Sequence, residues 1–246
     1  GCYRMSDLDF TSEALLAHEI AHQWFGNMAT EADWAHLWLS EGFATYMTIL
    51  YLENKYGQDT ARKMLAKNRE TVIQFAREKL SPVVDTSETD YMELLNANSY
   101  EKGGWVLHML RQQLGDSLFR KSIRTYYARY AGKNATTADL RKVMEEVSGK
   151  TFQQFFRQWL YRAGHPLLDI SWRYDSNAKN THVSITQKQS ELFLFPLEFS
   201  VYTEKGIISR TVQVNGKQAS LTIPSPSKPR QLIADPGIKL LYEAEI

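Results

Sequence analysis

Leu16-Ala17-His18-Glu19-Ile20-Ala21-His22-Gln23-Trp24-Phe25-Gly26-Asn27 places two histidines four positions apart, with a glutamate directly after the first. At 3.6 residues per turn, positions four apart lie nearly above one another on a helix, so both imidazoles leave one face toward a single point. That is a metal clamp with a base beside it, and zinc is the metal it suits. Two imidazoles leave a catalytic zinc one protein ligand short; the usual completion is a third histidine or a carboxylate, with the last position kept for water. Glu41 is the candidate. Eighteen residues separate it from His22, and it stands in Trp38-Leu39-Ser40-Glu41-Gly42-Phe43-Ala44-Thr45-Tyr46, a second amphipathic stretch able to pack antiparallel on the first. Glu19 points off the ligand face, which suits a general base acting on water. A lone histidine on an apolar helix face is ordinarily a satisfied core residue, and a lone glutamate ordinarily faces solvent; the four elements together favour zinc.

By this box, its spacing to Glu41 and the surrounding Trp-Leu-x-Glu-Gly-Phe, the sequence resembles the zinc aminopeptidases typified by aminopeptidase N and leukotriene hydrolase. A further block, Ser99-Tyr100-Glu101-Lys102-Gly103-Gly104-Trp105-Val106-Leu107, looks like that family's Tyr-x-Lys-Gly segment. The resemblance implies that Tyr100 stabilises the oxyanion formed when water attacks the scissile carbonyl. It also implies a multidomain α and β fold, in which a mainly helical, thermolysin-like catalytic subdomain is followed by a small antiparallel β-sandwich. The expected reaction is hydrolysis of N-terminal peptide bonds. One Zn2+ per chain would be held by His18, His22 and Glu41, Glu19 would take the proton of the water, and the substrates would be peptides with a free amino terminus.

Two features depart from the family pattern. Its Gly-x-Met-Glu-Asn run, whose glutamate holds the substrate's amino terminus, has no counterpart; Tyr91-Met92-Glu93-Leu94 lacks the Gly and Asn and lies downstream of the zinc box. Seventeen residues before His18 leave no room for that strand, its sheet or the family's N-terminal β domain, so the expectation is a piece of a longer protein, impaired when isolated. Ser40 and Thr48 replace an Asn and a Glu common in the family, leaving Thr45, Thr48 and Asp33 as candidates to orient the metal-binding rings. Three other readings stay open: a zinc endopeptidase, a lipid epoxide hydrolase, and a catalytically dead relative serving as an interaction scaffold.

Composition suits a globular protein with a sizeable core: 246 residues, with 29 Lys and Arg against 28 Asp and Glu for a formal charge of +1. With no basic stripe interleaved with aromatics, nucleic acid is excluded as an expected partner. The lone Cys2 forbids an intrachain disulfide and is compatible with a cytoplasmic or a periplasmic or secreted setting. No apolar run approaches the roughly twenty residues that span a bilayer. Asn134-Ala135-Thr136 matches a glycosylation acceptor, a motif short enough to recur by chance.

The hydrophobic period changes once. Up to about residue 163 it is helical, predicting helices over 12–25, 37–56, 58–79, 100–114, 116–131, 137–148 and 151–162, with Thr137 and Thr151 as N-caps and Gly57, Gly115 and Gly149 as stops. Phe152, Phe155, Phe156 and Trp159 share one expected buried face. After Gly164-His165-Pro166 the period is two, and some seven short strands predict the sandwich. The expected domains are therefore 1–165 and 166–246. Asn215-Gly216 is the strongest hairpin signal, with Lys205-Gly206 and 177–180 as further turns. His165 and His182 each stand alone and are expected to pack rather than ligate.

Overall fold

The computed structural model describes residues 7–245, which divide into two compact units, Gly1–Gly164 and His165–Ile246. In the first, helices α1 (Asp7–Ala21), α2 (Trp38–Tyr56), α3 (Gln58–Glu78), α4 (Gly103–Leu114), α5 (Asp116–Tyr130), α6 (Thr137–Ser148) and α7 (Gln153–Leu160) follow one another. Two short strands, β1 (Ala29–Glu31) and β2 (Lys133–Ala135), pair in parallel, which the helical period of that region did not predict. Ten of the nineteen residues of α2 are buried, among them Trp38, Phe43, Tyr46 and Leu52, so this helix is covered on several sides. It packs against α1, α3, α4 and a π-helical turn, Asn98–Lys102, that leads into α4.

Two glycines set how closely α2 and that turn approach. A Cβ added to Gly42 would lie 2.9 Å from the backbone of Gly103, and one added to Gly103 would lie 2.9 Å from the Gly42 Cα. Backbone meets backbone here. Only a residue without a side chain permits it, and the bond vectors on either side of the contact carry Glu41 and the Tyr100 turn.

The helix ends show where local chemistry overrides periodicity. α1 stops at Ala21 rather than running on to 25, because the chain tightens: Gln23 and Trp24 donate to the carbonyls three residues back, Ile20 and Ala21. Gly26, at φ +121°, then turns the chain toward β1, with its N–H on the Ala29 carbonyl. The N-cap of α6 is Thr136, not Thr137; Thr136 and Asp139 form a reciprocal capping box. Thr137 is buried instead, and its hydroxyl accepts from the Trp38 indole at 2.8 Å. Nor does Thr151 cap α7, whose N-cap is Phe152 without a side-chain bond. Gly57, Gly115 and Gly149 end their helices as expected, and Phe152, Phe155, Phe156 and Trp159 are all buried.

The second unit holds seven strands, β3 (Leu167–Asp175), β4 (Asn180–Gln187), β5 (Phe195–Thr203), β6 (Gly206–Val214), β7 (Gln218–Pro224), β8 (Gln231–Ala234) and β9 (Glu243–Glu245). They form two sheets, ordered β7-β4-β3-β9 and β6-β5-β8, antiparallel except where β9 joins β3 in parallel. Ile170, Val183, Ile185, Leu197, Phe199 and Val201 are buried, as a sandwich with one inward face per sheet requires. The turns after Asp175 and Thr203 close hairpins as expected. Asn215-Gly216 does not. It carries the chain from one sheet to the other, because Gln187 captures the segment: its backbone N–H donates to Lys217 O and its side chain to Gly216 O.

Replacing Gly103 by Ala should destabilise the first unit by about 1–3 kcal/mol, since neither backbone at the contact can yield as a flexible side chain would. Denaturant unfolding of this variant against the parent measures it; a change below about 0.5 kcal/mol, the range of an ordinary surface substitution, would show that the contact is slack.

Candidate metal centre

Helix α1 delivers His18 from its last turn, and His22 follows in the tightened segment just beyond, with its backbone N–H still on the His18 carbonyl at 3.3 Å. Glu41, in the first turn of α2, faces them. The three ligand atoms form a nearly equilateral triangle: His22 Nε2 to His18 Nε2 is 3.1 Å, His18 Nε2 to Glu41 Oε2 is 3.2 Å, and His22 Nε2 to Glu41 Oε2 is 3.3 Å. Ligands bonded at about 2.0 Å in a tetrahedron lie roughly 3.3 Å apart along each edge, so this triangle is one face of such a site. Among the described residues no other cluster of metal-ligating side chains has three members converging in this way.

The tautomer of His22 follows from its hydrogen bond. Nδ1 lies 3.1 Å from the Phe25 carbonyl oxygen, which can only accept, so Nδ1 carries the proton and Nε2 offers its lone pair to the triangle. Phe25 is fixed in turn: its buried ring stacks on Phe43 of α2 with centroids 4.3 Å apart. The ring holder of His22 is therefore a backbone carbonyl, and two of the three side chains named from sequence have other partners: Thr48 donates to the Ala44 carbonyl, and Asp33 caps the 3-10 turn Trp34–His36. Ser40, adjacent to the ligand, donates its hydroxyl to Glu31 of β1.

Charge at the triangle is already shifted in the direction a cation needs. Burial pushes the Glu41 carboxyl up, but hydrogen bonds and attraction from His18 and His22 outweigh it and hold the group at about 2, so it is ionised. The Glu41 bond raises His22 above the ordinary imidazole value, against the effect of burial. Lone-pair atoms 3.1–3.3 Å apart around a carboxylate need a proton or a cation among them, and a divalent metal fits the donor set of two imidazoles and one carboxylate.

The other two expected residues border the triangle. Glu19 is exposed, and its charge is felt by both His22 and Tyr100. The ring of Tyr100 stacks on His18, with centroids 5.9 Å apart and planes inclined by 14°. Burial, then the negative charge of Glu41 and a hydrogen bond to it, push the phenol up to about 12, so at neutral pH Tyr100 is a hydrogen-bond donor. It sits in the π turn, which is anchored beyond the ring: Asn98 Nδ2 donates to Ser81 O at 2.9 Å and Ser99 Oγ to Leu94 O at 2.6 Å. These anchors, the Phe25 carbonyl and the Gly42–Gly103 contact have no signature in the sequence that spacing or motif reveals, with one exception. The Gly-Gly pair after Lys102 was the one local signal, since paired glycines entering a helix point to a close approach. His182 pairs with Thr222 on the sheet surface, and His165 is buried beside Glu243 at 3.6 Å, both as packing groups.

Comparison with known proteins places this chain among peptidases. Residues 5–159 match the peptidase family M1 domain. Aminopeptidase M1-C of Oryza sativa subsp. japonica is 36% identical over 160 residues, covering 63% of this chain and 18% of the relative. Tricorn protease-interacting factor F2 of Thermoplasma volcanium is 31% identical over 209 residues, covering 80% of this chain and 26% of its own. The chain thus spans about a fifth to a quarter of the length of these relatives. A crystal structure of Legionella pneumophila aminopeptidase A in complex with aspartic acid superposes with a TM-score of 0.81 at 19% identity, over 95% of this chain and 27% of that one.

Zinc affinity should fall as pH is lowered. His22 is raised by Glu41, so without metal its imidazole stays protonated to higher pH than usual, and zinc must displace that proton to bind. Chelator competition between about pH 6 and 8 should show tighter binding at the upper end and proton release on loading; an affinity independent of pH would place the metal on other groups.

Proposed function

This chain belongs to peptidase family M1, and from that premise we propose that it carries the hydrolytic centre of a zinc-dependent aminopeptidase, with His18, His22 and Glu41 as the metal ligands. The ligand triangle, with its edges of 3.1–3.3 Å, is the observation that supports the reading most. Zinc bound there would polarise the scissile carbonyl and acidify the attacking water.

The chain's own residues supply the remaining steps. Glu19, exposed on α1 one position from a ligand, accepts the water's proton and can return it to the leaving amine. Tyr100 donates its hydroxyl proton in a hydrogen bond to the oxygen that becomes negative as the tetrahedral species forms. Its elevated pKa keeps that proton in place throughout the physiological range. Phe25, through its carbonyl, keeps the His22 ring in the tautomer and orientation that ligation requires. The substrate class, peptides with a free amino terminus, is proposed on the names of the relatives. The intact triangle supports a working catalyst over a scaffold that has shed its chemistry.

In the protein at its full natural length, Glu19→Gln should retain zinc and lose turnover by about 10²–10⁴-fold, because an amide cannot take the proton. Tyr100→Phe should lower kcat by roughly 10²–10³-fold with little change in KM, since its bond strengthens only as the oxyanion develops. Steady-state kinetics on an aminoacyl anilide, with metal content measured alongside, checks both, and near-normal turnover removes the residue concerned from the mechanism. The same assay on the N-acetylated anilide tests the substrate class: equal rates on the free and blocked forms would refute the aminopeptidase assignment.

A further inference from the structure

Lys102 is the one lysine among the largest fully buried side chains, at 1% exposure. Its Nζ donates to the Gly164 carbonyl at 2.9 Å, across 62 residues of sequence, and no carboxylate pairs with it among the described residues. Burying an ammonium with a single neutral acceptor is unfavourable by several kcal/mol relative to an apolar side chain of the same length. Burial alone pulls the amine down to about 7. Stability does not explain a lysine here.

Position does. Lys102 ends the π turn that holds Tyr100 two residues earlier, and its backbone N–H donates five residues back, to Ala97 O at 2.9 Å. π turns are rare and poorly self-supporting, since their wider ring leaves the backbone freer to slip back into α geometry. Such a slip would rotate Tyr100 around the helix axis and away from His18. Asn98 and Ser99 tie the first half of the turn, to Ser81 and Leu94. Lys102 ties the second half, and the stem is long enough to reach a carbonyl at Gly164. There φ is +80°, a conformation open to glycine, and the carbonyl faces the Lys102 amine.

We propose that Lys102 is a positioning residue for the Tyr100 hydroxyl: its buried amine, held on the Gly164 carbonyl, locks the π turn so that the hydroxyl stays beside the ligand triangle. This rests on the peptidase reading, since it assigns Tyr100 the oxyanion.

Lys102→Met keeps the stem and removes the donor. In the protein at its full natural length, this variant should keep stoichiometric zinc, show a thermal midpoint equal to or above that of the wild type, and hold KM within about threefold while kcat falls roughly 10–100-fold, the effect of misplacing a reacting group by about 1 Å. A role through Tyr100 makes the losses non-additive, so adding Lys102→Met to Tyr100→Phe should lower kcat by less than about twofold further. A purely structural lysine would not give that pattern. Unchanged kcat in Lys102→Met, or losses that multiply in the double variant, would overturn the assignment. Lys102→Gln is the second variant, keeping a donor too short to reach Gly164, and it should reproduce the kcat loss; if both variants unfold or lose zinc, the lysine serves folding and the proposal fails. A wild type that does not hydrolyse the anilide would overturn the peptidase reading and this inference together, whereas an active wild type with an unimpaired Lys102→Met overturns the lysine's role alone.

Discussion

The close approach of Gly42 and Gly103 is the constraint on which the centre depends. Each glycine follows a functional position, Glu41 directly and Tyr100 three residues earlier, and any side chain at the contact would drive the two backbones apart. A carboxylate ligand and a phenol donor must both lie within a few ångströms of one point, so a separation of even a side chain's width would break the arrangement. α2 supplies the rest of the frame. Buried on several sides, it cannot tilt to compensate, and it therefore converts the glycine contact into a fixed position for Glu41.

The partner helix α1 is held in a different way. Glu13 receives hydrogen bonds from Tyr51, Tyr56 and Lys55 of α2, and these, led by the lysine, bring its carboxyl down to about 2. Phe25, stacked on Phe43, fixes the segment just past the helix end. Between these two anchors the chain is apolar and open among the described residues: Leu15 and Leu16 of α1 are each 61% exposed and Ile20 50%, and Trp24 just past the helix is 48% exposed. The metal face of the helix is thus set by two local clamps, a polar one at Glu13 near the middle of the helix and an aromatic one at Phe25 just past its C-terminal end.

How much of this was legible in the sequence depended on the kind of interaction. The convergence of His18 and His22 could be read because helical spacing is itself the geometry of a clamp, with Glu41 added as the carboxylate such a pair lacks, and the change of period near residue 164 separated helices from strands because each period reflects a buried face. The residues that aim His22 and Tyr100 could not be read. Phe25 acts through a backbone carbonyl, which every residue possesses, and Lys102 acts by being buried, whereas lysine ordinarily signals a surface. Thr137 was misread as a cap because Thr136 beside it has the same chemistry, and only Asp139, three residues on, distinguishes them. Asn215-Gly216 carried the right turn residues for a hairpin, but the side chain of Gln187, distant in sequence, directs that segment to the other sheet. Long-range polar contacts of this kind leave no local pattern.

That His18, His22 and Glu41 converge on a single ion is the claim from which the remaining chemistry follows, and anomalous diffraction at the zinc absorption edge tests it most directly. Crystals of the zinc-loaded protein should show one anomalous peak bounded by His18 Nε2, His22 Nε2 and the Glu41 carboxylate, with Tyr100 beside it. A peak elsewhere in the molecule, or none among these three groups in the presence of zinc, would contradict the account.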